Sequence, residues 1–232
     1  MARRGLALLL TLVAVPSVAA ERGYTISDFD RIDVSGPFIV VVETGKAPSA
    51  RATGDNAALD RLKVELRGRT LRVGAGVNGW GGWPGARPAA PTIKVTVPLL
   101  REASLSGAGK LSISKMRSQL TRLGLSGSGE MSVAMIETDR LTGTLLGSGK
   151  MKLEGKAQAA QITTEGAGSL QASALLVGTL VLTSSSAGTS AITATKTAKV
   201  LSTGTGDVTI NGKPACTVSG LGVGQVICGN KP

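Results

Sequence analysis

The chain contains no histidine. That removes Ser-His-Asp and Cys-His catalysis and every zinc site that needs imidazole. Aromatic residues make up only 2% of the sequence: two Trp, two Phe and one Tyr. Globular cores fill much of their volume with such rings. This interior must therefore be narrow and filled by small and aliphatic side chains. Cysteine is limited to Cys216 and Cys228, so no metal site and no cofactor is expected. Beyond the first twenty residues no apolar run is long enough to cross a bilayer.

Those first residues, "MARRGLALLLTLVAVPSVAA", join a basic start (Arg3, Arg4) to an apolar run from Leu6 to Val15. They end in small residues, and they read as a secretory signal peptide (1–20) cleaved after Ala20. The run is short for a membrane anchor, and the leader does not end at a cysteine, so no lipid anchor is expected. The remaining domain (21–232) is expected to be periplasmic or secreted. It carries 24 basic against 15 acidic side chains. Such an excess favours anionic partners, such as an acidic glycan or another envelope component. The basic residues form no block of five or six; with the export signal, this speaks against nucleic acid. In an oxidising compartment Cys216 and Cys228 are expected to pair, Cys228 in an inward column of the last coil and Cys216 in the preceding turn. Two reduced, buried thiols are the alternative.

Glycine is abundant, and it recurs. "LSGAGKLSIS" at 105–114 is followed by "LSGSGEMSVA" at 125–134 and "LLGSGKMKLE" at 145–154. The first position of each G-x-G falls at Gly107, Gly127, Gly147, Gly166, Ser186, Gly204 and Gly222, in steps of 18 to 20 residues. Around these origins apolar residues align in columns. One holds Leu105, Leu125 and Leu145; another holds Leu111, Met131, Met151 and Leu170; a third holds Ile113, Val133 and Leu153. Within each copy apolar and polar positions alternate, which is strand periodicity. Two strands around a glycine bend in about 20 residues make one coil of a parallel β-helix.

The chain is thus expected to be all-β: a single-stranded parallel β-helix, or solenoid, with a period near 20 residues. The N-terminal segment joins the same columns through Ile32, Val34, Gly36, Val40 and Val42. Allotting three to four coils to the residues between Gly36 and Gly107 gives about ten coils in all and a rod of roughly 45–50 Å. The glycines do not read as a phosphate loop. "TLLGSGKM" has Thr144 where the first P-loop glycine belongs and Met151 where Ser or Thr belongs, and no helical pattern follows. Lys110, Glu130 and Lys150 on successive coils read as a cross-strand charge ladder.

"FDRIDVSGPFIVVV", "ATGDNAALDRLKVELRGRTLRV" and "TIKVTVPLLREASLSGAG", followed by the G-x-G coils, resemble the head GIN domain family of autotransporter-type adhesins. The resemblance spans roughly Ser27 to Gly212. It implies a right-handed β-helix in an exported bacterial protein and little about activity; the role expected here is a binding or structural, adhesin-like module of the cell envelope. It supplies no catalytic residues. The alternative is a polysaccharide lyase or hydrolase on the same scaffold. Such a site needs convergent acids. Asp28, Asp30 and Asp33 do cluster, but at the first coil, where polar capping residues are expected. The other acids are scattered, so no catalytic residue is assigned.

One segment leaves the coil pattern: "GAGVNGWGGWPGARPAAP" at 74–91, which holds both tryptophans. As a contact loop it offers Trp80 and Trp83 for stacking on sugar rings and Arg87 for an anionic group. As a structural loop it folds its indoles onto the solenoid. Sequence alone leaves both open.

Overall fold

The computed structural model describes residues 20–76 and 90–229. It is 71% strand and 3% helix, an all-β solenoid of about 6 turns. The chain opens with β1 (Ala20–Tyr24), β2 (Arg31–Ser35), β3 (Ile39–Thr44) and β4 (Ser49–Gly54). A short helix, α1 (Asn56–Arg61), leads to β5 (Leu62–Arg67), β6 (Thr70–Ala75) and β7 (Thr92–Val97). The regular coils are β8 (Glu102–Gly107), β9 (Lys110–Ile113), β10 (Met116–Gly127), β11 (Glu130–Gly147), β12 (Lys150–Gly166), β13 (Ser169–Ser186) and β14 (Ser190–Ser202). The solenoid closes with β15 (Val208–Asn211), β16 (Ala215–Ser219) and β17 (Val226–Cys228).

The columns read from the sequence are the observed registers. Leu125 lies between Leu105 and Leu145, and Leu145 against Thr164, in unbroken parallel ladders. Leu111, Met131, Met151 and Leu170 stack likewise, and all are buried. Glycine is required at the bend by both its conformation and its crowding. Gly127 has φ +111°, and a Cβ there would lie 2.6 Å from the carbonyl oxygen of Gly107 one coil below. A second corner follows Val133, where the ladder to β12 shifts register before Ile136. Each full coil therefore has three strand segments, and the third runs from Arg140 to Gly147.

From Thr164 onward one inward column turns to hydroxyls: Thr164, Ser184 and Ser202 are all buried. A hydroxyl in an apolar interior needs a partner. The Thr164 hydroxyl donates to Ser184 Oγ at 3.1 Å.

The count of about ten coils was too high, because the residues between Gly36 and Gly107 do not coil. β2 and β3 stack directly on β8 and β9, with Val34 against Leu105 and Val40 against Leu111. The intervening chain adds one rung, β6 on β2 and β7 on β3. It then reverses. β5 pairs antiparallel with β6, β4 with β7, and β1 with β4. Alternation in "LKVEL" looked like another coil, yet alternation marks a strand and not its direction. The longest ladder runs β6-β2-β8-β10-β11-β12-β13-β14-β16, so the rod is nearer about 40 Å than 50 Å at the spacing of hydrogen-bonded strands. The antiparallel cap has charged edges: Arg22 with Asp60 at 2.6 Å, Arg51 with Glu21 at 3.0 Å, and Glu65 between Lys63 and Arg67.

Cys216 and Cys228 form the disulfide, with Cα atoms 6.3 Å apart. Cys216 does not sit in a turn. It lies in β16, stacked on Ala198, while Cys228 lies in β17 on Ile210. The bond thus ties together the two strands of the last rung.

Two stability predictions follow from this packing. Leu125→Ala should cost about 2–5 kcal/mol in urea unfolding, and Leu125→Asp should leave the chain unfolded, whereas outward-facing Ser126→Ala should stay within about 0.5 kcal/mol. Full tolerance of Leu125→Asp would refute the column assignment. Replacing both cysteines by serine should lower stability by about 2–3 kcal/mol, the chain-entropy value for a bridge across so short a loop. An unchanged unfolding midpoint would show that the bridge constrains nothing.

Candidate functional site

The corner between the second and third segments of each coil carries the polar side chains that the G-x-G bends lack. Successive coils place Arg117, Glu137 and Lys156 in one outward column. Ser118 and Thr138 satisfy the corner itself: their hydroxyls donate to the carbonyls of Leu120 and Arg140 at 2.9 and 3.1 Å. Just beyond lie Gln119, Asp139 and Gln158, where the Gln158 amide donates to Asp139 at 2.7 Å. The result is a groove running along the rod, made of three depressions that share these corner residues.

The depression nearest the cap, about 290 Å³, is built around Asp30. Asp30 is 8% exposed. Burying a carboxylate is costly unless cations surround it. Arg69 Nε lies 3.1 Å from Asp30 Oδ2, and the Nε atoms of Arg31 and Arg101 lie 4.0 Å from its carboxylate. Arg31 also approaches Glu102 at 3.6 Å. Arg122 lines the same depression and makes no ion pair among the described residues. Four guanidiniums thus face two carboxylates.

The middle depression, about 630 Å³, has Arg117, Glu137, Asp139 and Lys156 on its walls. Arg117 Nε donates to Glu137 at 2.7 Å, and Lys115 lies 3.4 Å from the same carboxylate. The hydrogen bond from Arg117 is the main reason that the Glu137 carboxyl is held below the usual carboxylate range. That is the opposite of what a general acid needs. The third depression adds Arg140 and Lys196. Along the three, seven cations line the groove against four carboxylates. Among the described residues no three His, Cys, Asp or Glu side chains are placed to hold a metal ion.

Trp80, Trp83 and Arg87 lie outside the described residues. Their loop leaves β6 at Gly76 and rejoins the described chain at Ala90 before β7. Of the acids singled out in the sequence, Asp30 lies in the cap-proximal depression, and Asp33 accepts a hydrogen bond from Ser104 Oγ at 2.9 Å. Of the predicted charge ladder, Lys110 and Glu130 pair at 3.2 Å.

A family model described as "Putative auto-transporter adhesin, head GIN domain" matches residues 28–214. The chain belongs to the head GIN domain family. Its solenoid is similar to that of a protein described as a putative adhesin from Bacteroides fragilis: 22% identity, TM-score 0.82, covering 92% of this chain and 98% of the other. It is also similar to one described as a putative lipid binding protein from Parabacteroides distasonis: 24% identity, TM-score 0.74, covering 93% and 98%. A third, a putative adhesin from Parabacteroides merdae, shares 21% identity at TM-score 0.69, covering 93% and 98%. At these identities the likeness speaks for the fold alone. The search of curated proteins finds no match. No helix among the described residues is long and apolar enough to cross a membrane.

Sequence reasoning missed the groove although the period contained it. Arg117, Glu137 and Lys156 are spaced by 20 and 19 residues, as are Gln119, Asp139 and Gln158. Aligning only the apolar columns beside the glycines hid these outward ones.

The Arg117–Glu137 pairing persists at neutral pH and is lost as pH falls through the lowered Glu137 pKa. Arg117 is then free for another anion. A sulfated polymer, which keeps its charge, should bind several-fold more tightly once pH has fallen below the lowered Glu137 pKa than at neutral pH. Glu137→Gln should reproduce part of that gain at neutral pH. Identical pH profiles for the two proteins would rule out Glu137 as a competitor for the groove.

Proposed function

We propose that this head GIN domain is an exported, adhesin-like binding module of the cell envelope, and that its corner groove receives an extended anionic glycan. The observation that carries this reading is the groove's excess of cations in a continuous channel along the rod. Two columns run along it, Arg31–Glu102–Arg122 and Arg117–Glu137–Lys156, so cations recur on every second rung, about 10 Å apart. A polymer with repeated carboxylates or sulfates meets such a row at several points, and Arg can contact each anion with two hydrogen bonds. Gln119, Gln158 and Ser118 supply donors and acceptors for hydroxyl groups between the charges. The family's description as adhesin supports binding of an external partner. The leader at 1–20 supports export.

Trp80, Trp83 and Arg87 supply the second contact in this reading. Their loop joins β6 to β7, the outermost parallel rung, so it departs from the same end of the rod as the Asp30 cluster. Indole faces would stack on sugar rings.

Titration calorimetry with a sulfated polysaccharide, a uronic acid polymer and a neutral glucan tests the proposal, with anionic vesicles as a further arm. Binding should be confined to the acidic polymers and should weaken with added salt. Arg122→Gln with Lys156→Gln should weaken it about tenfold, with little change in melting temperature because neither side chain makes an ion pair among the described residues. Trp80→Ala with Trp83→Ala should also weaken it. Equal binding of the neutral glucan, or indifference to both double replacements, would overturn the reading. Shortening of the polymer during incubation would point to the lyase or hydrolase alternative.

A further inference from the structure

The two ends of the rod are built differently. At the capped end the outermost strands, β1 and β5, present Glu21, Arg22, Lys63, Glu65 and Arg67. Charged side chains on an edge strand discourage further strand pairing. At the other end, among the described residues, β16 pairs only with β14, and β17 only with β15. Their outer edges carry free N–H and C=O groups, and residues 214–229 contain no charged side chain. The inward columns also emerge there. Val200 is fully buried, whereas Val218, stacked on it, is 49% exposed. Ile227, on the outward face beside Thr209, is 43% exposed.

Apolarity at this end is positional. The residue before each G-x-G origin is Ser106, Ser126, Leu146, Glu165, Ser185 and Thr203, and then Leu221. The middle residue of each G-x-G is Ala or Ser in the first five copies and Thr205 in the sixth, and then Val223. Leu221 is 98% exposed and Val223 84%. Only at the last rung do both positions become large and apolar.

We infer that this uncharged terminal face is a self-association surface on which a second copy of the chain docks end to end. Charge distribution selects a second copy as the occupant. Residues 21–159 hold 20 basic and 13 acidic side chains, whereas residues 160–229 hold three basic and two acidic. Two copies meeting at this face keep their positive halves at opposite poles, and an uncharged face does not repel itself. A two-fold axis across the rod runs the facing strands antiparallel, so each edge gains hydrogen bonds and Leu221 and Val223 of both copies leave water. The charged cap blocks the far end, so association closes at two rather than growing into a fibre. Two groove-bearing arms would then bind one polymer with linked affinity.

Sedimentation equilibrium of the disulfide-intact protein tests this. Wild type should be dimeric at about 100 µM, and Leu221→Lys with Val223→Lys should be monomeric under the same conditions. Leu176→Lys, at an exposed apolar residue of the corner groove side, should leave the dimer intact. A monomeric wild type, a dimer unaffected by the terminal pair, or a ladder of larger species would each overturn the inference. Amide exchange of wild type gives a reading independent of any variant. Protection in β16 and β17 should rise with protein concentration, and concentration-independent exchange there would contradict a closed dimer.

Discussion

Everything in this molecule depends on in-register parallel stacking at the glycine bends. A coil can lie one strand spacing from the next only if the bend has no side chain in the gap, and the Gly127 backbone meets Gly107 closely enough that a Cβ would collide with its carbonyl oxygen. Once that contact fixes the register, each inward residue sits on its equivalent one coil away. Leu stacks on Leu and Met on Leu, so a core with almost no aromatic residues is filled by aliphatic side chains. Stacking also brings the Thr164 and Ser184 hydroxyls within reach of one another, whereas the buried Ser202 hydroxyl at the top of that column finds no partner among the described residues.

The register that aligns the core also aligns the surface. Outward residues are repeated at the strand spacing, so a column of mixed charge becomes a line of ion pairs, and a column with surplus arginine becomes a positive track. At the corner the surplus is arranged around Asp30, whose buried carboxylate gathers Arg31, Arg69 and Arg101 and holds them close together. Arg122, stacked on Glu102, makes no ion pair among the described residues. The groove is thus assembled before any ligand arrives, which reduces the ordering a ligand would have to impose.

The coils were legible because their signal is local and repeated. Gly107, Gly127, Gly147 and Gly166 set the period, and the neighbouring apolar residues set the faces. The cap was not legible. β5 alternates like a coil strand, and nothing in its side chains states that it runs antiparallel to β6. Its direction comes from the tight turn at Gly68, where φ is +59°, and from the need to cover the first rung, a tertiary requirement. The groove was partly legible, since its columns share the period, but its depth comes from the corner between the second and third segments, where the Ser118 and Thr138 hydroxyls turn back onto the carbonyls of Leu120 and Arg140. The pairing of Cys216 with Cys228 could be read from their number and compartment, whereas the place of Cys216 within a strand depended on the stacking of β16 on β14.

The most direct measurement is a backbone NMR titration of residues 21–232 with a short acidic oligosaccharide. The stacked-groove account predicts that shifts concentrate at residues 117–122, 137–140 and 156–159, with Arg101 and the tryptophan loop moving at the same ligand concentration. Shifts spread along the G-x-G ridge, or confined to the terminal rung with the corner columns silent, would contradict it.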